Sequence, residues 1–182
     1  MRAVTEALSL VESFVPCAKE EKSQQLILAL LQHTGAPFSR DQFNPGHITC
    51  TAVVLNPDRQ RVLLVHHHRL RRWLLPGGHV EESDASLVDT ARREATEETS
   101  VQLVPADTAR LLGLDVHGIP PHPGKHEPFH LHHDLIFALV AKTGVIARSE
   151  EAPEVAWCAP DEFKRYDLPN SIVWAAGRAF CD

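Results

Sequence analysis

Arg93, Glu94, Glu97 and Glu98 fall within the run GGHVEESDASLVDTARREATEETSV at positions 77–101. At about 100° per residue, positions 94, 97 and 98 share one helix face. Three carboxylates crowded there repel one another and resist ionisation unless positive charge joins them. A hard divalent cation is the natural partner, because Mg²⁺ or Mn²⁺ prefers oxygen ligands and retains waters for substrate phosphates. Taken alone, a solvated acidic helix face explains the same residues. Gly77-Gly78, one element upstream, adds weight to the chemical reading, since glycines permit close backbone approach.

The run resembles the box of the Nudix hydrolases, G-x5-E-x7-R-E-U-x-E-E-x-G-U with U a bulky apolar residue. Arg93, Glu94, Glu97 and Glu98 match its second half, Val101 fits the last apolar place, and Ala95 is a small substitute for U. Ser100 replaces the final glycine, at a helix end that needs a tolerable conformation. The first half is longer, with fifteen steps from Gly78 to Arg93 where the family has fourteen. The acid expected eight residues before the arginine is therefore Ala85, with Asp84 beside it. Ser86, followed by Asp89, predicts an N-cap and a helix over 86–99. That keeps the second half in register and places the insertion in the 82–85 loop, where Asp84 is an imperfect stand-in for the displaced acid.

The resemblance implies that Glu94, Glu97, Glu98 and a backbone carbonyl, that of Gly77, hold Mg²⁺ or Mn²⁺. Arg93 is then an orienting partner of the box carboxylates. The implied reaction is hydrolysis of a diphosphate bond in a nucleoside diphosphate linked to another moiety, with Glu97 or Glu98 as ligand and water activator. Glu127, Glu150 and Glu151 are candidates for a general base outside the box. A catalytically inactive ligand-binding or regulatory module on the same fold is the alternative. A diphosphate isomerase would require a reactive cysteine, and Cys50 lies in no recognisable setting for one.

Twelve histidines are unusual for a chain of 182 residues. His66, His67 and His68 adjoin, and His117, His122, His126, His130, His132 and His133 crowd one segment. The stretch from Asp115 to Asp134 resembles a D-V-H-x-I-P…E-P-x-H-x-H-x-D run in one branch of the same family. Alternate strand residues share a face, so His130, His132 and Asp134 are expected to line the pocket, touching phosphate or a second cation. The plainer reading is exposed strand positions and a loop. A dedicated zinc site is disfavoured, because no cysteine stands at suitable spacing. Arg69, with Arg71 and Arg72, offers either a basic rim for the substrate's far end or a solvated loop.

The elements that position these residues follow from periodicity. Val4, Ala7, Leu8, Val11 and Val15 form one helical stripe, and Leu26, Ile27, Leu30 and Leu31 a second. They are expected to pack on the domain, a homodimer interface or substrate lid being the alternatives. Strand-like runs follow at 47–55, 61–67, 110–119, 131–141 and 154–158, with the box helix among them and helical segments at the C-terminus. The expected fold is α/β, a mixed sheet sandwiched between helices (the Nudix-type α/β/α arrangement), with residues 1–46 as a helical extension and 47–182 as the hydrolase domain. Net charge of −6 argues against a nucleic-acid polymer as partner but not against a small phosphate substrate. No run suits a membrane span or a signal peptide, and the four cysteines show no paired spacing, so cytoplasmic residence is expected.

Overall fold

The computed structural model describes residues 2–105 and 109–181. Its centre is β1 (His47–Leu55), which pairs in parallel with β6 (His130–Val140) from His47↔His132 to Leu55↔Val140. On its other edge β1 has two antiparallel neighbours. Its end meets β2 (Val62–His67), and its first half meets β4 (Gly77–His79). β3 (Arg72–Leu74) and β7 (Glu154–Cys158) both pair with β2, and β5 (Arg110–Ile119) closes the far side against β6. The sheet is thus mixed. The Gly77-Gly78 segment is part of a short strand bonded to β1.

The alternation of β1 separates two cores. Ile48, Cys50, Ala52 and Val54 face α1 (Arg2–Ser13), α2 (Glu21–His33) and α3 (Leu87–Thr99). Val53 and Leu55 face α4 (Asn170–Phe180) and the 3₁₀ helix Pro160–Tyr166. Ala7, Val11, Ile27, Leu30 and Leu31 share one cluster with Leu87, Ala91, Ala95 and Phe137. The first two helices therefore complete the layer that carries the box helix. Burying side chains such as Ile27 or Leu30 contributes about 1.5–3 kcal/mol each. Two members of the expected stripes are displaced from that core. Val15 is 84% exposed because α1 ends at Ser13, and Leu26 is 38% exposed at the margin of α2.

α3 begins as its sequence predicts. Ser86 accepts a hydrogen bond from the Asp89 amide, a cap that contributes about 1 kcal/mol. The amide of Leu87 donates to the Glu6 carboxylate at 3.1 Å, so α1 satisfies one of the helix's open N-terminal donors. Glu20, buried just ahead of α2, accepts from Arg178 on α4 and ties the N-terminal helices to the opposite layer. Burial alone would raise the Glu20 pKa, but Arg178 and the Cys17 amide bring it below its ordinary value.

Candidate active site

Three elements bring the acidic residues into place. α3 carries them, β4 lies against its face, and the 80–86 connection closes the end. Glu98 is buried, and its carboxylate accepts from the Gly77 amide at 3.1 Å. Glu94 rests on Gly78 so closely that a Cβ there would stand 2.5 Å from its Oε1. Gly77 is equally constrained, since a Cβ would meet Thr51 Oγ1 at 2.6 Å and the Cys50 carbonyl at 2.7 Å. The two glycines thus let a strand pass between β1 and the carboxylates. Glu97 lies outermost, its side chain 60% exposed.

Arg93 binds this frame together. Its Nε and one terminal nitrogen grip both oxygens of Asp84 at 3.0 Å, and the same terminal nitrogen donates to the His79 carbonyl at 2.8 Å. Its other terminal nitrogen reaches Glu94 at 2.9 Å and Glu97 at 3.2 Å. Arg93 thus ties Glu94 and Glu97 to Asp84 and to β4. Asp84 also accepts from the Glu81 amide and the Thr90 hydroxyl. Burial would raise its pKa, but Arg93 and these donors hold it below the usual carboxylate value. The bidentate grip shows that Asp84 organises the loop more fully than its offset in the box implied.

Charge among the glutamates is less well compensated. Burial, and then the neighbouring charges of Glu94, Glu151 and Glu97, push the Glu98 pKa up to about 8 against the opposing Gly77 amide. Burial also raises Glu94, although Arg93 opposes it. Glu151 lies in the β6–β7 connection, which the Ala147 amide fastens to the Thr99 carbonyl at the end of α3. Of the three outside carboxylates, Glu151 acts on both Glu94 and Glu98, whereas Glu127 is taken up by Arg69 at 3.0 Å.

Arg69, offered as a basic rim or a solvated loop residue, is engaged within the protein. It bridges from the β2–β3 turn to Glu127 and the Pro120 carbonyl, latching the turn to the 120–129 segment. Asp134 does share a face with His130 and His132, but it is 5% exposed and accepts from Thr49 at 2.9 Å and from Thr51. Its carboxylate is spent inside the sheet, because its β1 partner places Thr49 beside it. Burial holds its pKa above the ordinary value.

Sequence reasoning missed His47 and His79. Both join His130 and His132 in one cluster, with ring centroids 4.9–5.2 Å apart among His47, His130 and His132. His79 packs on His47 and His132 at 5.0 and 5.3 Å, and His117 lies against His132 at 5.7 Å. Burial, then the neighbouring imidazoles, lower the pKa of His79 to about 4 and lower that of His132 further. His79 directly follows the two glycines, and that adjacency is its sequence-visible hint.

The NUDIX domain family model matches residues 46–175. The chain belongs to the Nudix family and is a Nudix hydrolase. A probable DHNTP pyrophosphohydrolase of Lactococcus lactis subsp. cremoris is 28% identical over 166 residues, covering 87% of this chain and 93% of that relative. The nucleoside triphosphatase NudI of Salmonella arizonae is 33% identical over 98 residues, 53% of this chain and 68% of its own. In fold, the E. coli dihydroneopterin triphosphate pyrophosphohydrolase superposes with a TM-score of 0.53 at 17% identity, over 72% of this chain and 92% of that one.

Proposed function

We propose that this chain hydrolyses a diphosphate linkage in a nucleotide-type substrate with Mg²⁺ or Mn²⁺ held by Glu94, Glu97, Glu98 and a backbone oxygen of Gly77. The observation that carries this reading is the state of Glu98. It is buried beside two further carboxylates, and among the described residues the Gly77 amide is its one hydrogen-bond donor. A hard, oxygen-seeking cation fits that donor set, and Gly78 keeps the approach to Glu94 free of a side chain. When bound, such an ion neutralises phosphate oxygens and acidifies a coordinated water.

The chain's own residues supply the rest. Arg93 fixes Glu94 and Glu97 in position, and the Asp84 and His79 contacts fix Arg93. Glu151, outside the box and electrostatically linked to Glu94 and Glu98, is our choice to accept the proton of the attacking water. The Lactococcus relative, matched over nearly its whole length, supports a triphosphate bearing a pterin as substrate, and the Salmonella relative supports one bearing a nucleoside.

The test is hydrolysis of dihydroneopterin triphosphate, nucleoside triphosphates, ADP-ribose, dinucleoside polyphosphates and nucleotide sugars with Mg²⁺ and with Mn²⁺. Metal-dependent turnover of at least one substrate is expected, and Glu98→Gln should reduce it by about 100-fold or more. Full activity in Glu98→Gln, or no turnover of any substrate, would refute the assignment, the second outcome favouring a binding module.

A further inference from the structure

The histidine cluster is not explained by the hydrolytic site. His47 comes from the start of β1, and His130 and His132 come from β6. Parallel pairing puts His47 opposite His132, while Gly46, at φ 124°, lets the chain enter β1 hard against Leu131. One ring nitrogen from each of the three residues lies within 4.8 Å of the other two.

Their hydrogen bonds leave the complementary nitrogens free. Nδ1 of His47 is 3.2 Å from the Gln42 carbonyl, and Nδ1 of His130 is 2.9 Å from the Pro128 carbonyl. A carbonyl accepts only, so each Nδ1 donates its proton and each Nε2 keeps a lone pair. Metal-bound histidines are commonly oriented in this way, one nitrogen on the ion and the other on a backbone carbonyl. Nε2 of His47 and Nε2 of His132 are buried without a hydrogen-bond partner among the described residues, and His47 is wholly enclosed. Polar atoms buried like this normally have a partner.

From this geometry we infer that His47, His130 and His132 form a second cation site, for Zn²⁺ or a similar nitrogen-preferring metal, separate from the carboxylate site. Imidazole suits zinc, whereas Mg²⁺ seeks oxygen. Bonds of about 2.1 Å would set the nitrogens about 3.4 Å apart, so the rings need close only modestly. His79 is the nearest further imidazole to His47 and His132. Its carbonyl holds Arg93, so β4 lies between the two sites and touches both. The inference does not depend on the hydrolytic reading, because no residue of α3 takes part.

The experiment uses the full chain, stripped of metal and then titrated with Zn²⁺, with bound metal counted by elemental analysis after desalting. One zinc per chain is expected in the unaltered protein and in Glu97→Gln/Glu98→Gln, and binding should weaken about 100-fold in His130→Ala and His132→Ala. Zinc lost with the glutamates, or kept at full affinity by both histidine variants, would overturn the inference. Should a histidine variant not fold, Co²⁺ added to the unaltered protein decides. Intense visible absorption of a four-coordinate nitrogen-bound ion supports the site, and the weak spectrum of an oxygen-bound octahedral ion refutes it.

Discussion

Two clusters of ionisable side chains flank β4, and they are built on opposite principles. The acidic one is local: Glu94, Glu97 and Glu98 come from two turns of a single helix, and Arg93 from the same helix ties two of them. The imidazole one is assembled at long range, from β1, β4, β5 and β6. Their donors differ as well. Carboxylate oxygens favour hard ions, and neutral ring nitrogens favour softer ones. A protein holding both can keep two cations apart by ligand type as much as by distance.

The contrast also explains what could be read without coordinates. Helix periodicity alone places 94, 97 and 98 on one face, and capping by Ser86 fixes where the helix starts. β1, β5 and β7 match their predicted spans because each is an apolar run bounded by turn residues. His47 has no such signal. Its meeting with His132 depends on parallel pairing of β1 with β6, about eighty residues away, and no local pattern encodes that register. For the same reason Asp134 looked like a pocket residue. Its stripe was correct, but the threonines that occupy its carboxylate belong to another strand. Spacing along the chain likewise does not reveal three imidazoles that meet across the sheet.

Removing the anchor of the acidic side should have a large effect on stability. Asp84→Asn is expected to lower stability by about 2 kcal/mol at neutral pH, because a buried, charge-assisted bidentate contact is lost. The sign of its pH dependence follows from the lowered pKa of Asp84. The contribution is fully present above the unfolded value of about 3.9 and disappears as pH falls through the lower folded value. Denaturant melts of variant and unaltered protein should therefore converge in acid. A gap that stays constant as the pH is lowered through the acid range would count against this account, and so would loss of zinc uptake in Asp84→Asn.

The two glycines separate the clusters more finely. Gly77→Ala pushes on the backbone of β1 and should cost about 1–3 kcal/mol while disturbing both sites. Gly78→Ala meets the carboxylate end of the Glu94 side chain rather than backbone, so stability should change little while metal-dependent turnover falls. Thermal melts and activity measured together would show it, and equal behaviour of the two variants would contradict the distinction.

The smallest effect concerns the end of α3. Ser100 sits in the left-handed region at φ 54°, where the family pattern has glycine. Ser100→Gly should raise stability by about 0.5–1 kcal/mol, since relief of Cβ strain exceeds the added entropy of the unfolded chain. A lower melting temperature would mean that the serine is held by something other than backbone conformation.

Mn²⁺ titration of the unaltered protein and of Glu98→Gln, followed by electron paramagnetic resonance, tests the acidic site most directly. Strong binding by the former and a loss of about 10-fold or more in the latter is the expected result. Equal affinity in the two would show that the glutamates of α3 do not hold the ion, and the proposed hydrolytic site would fall with them.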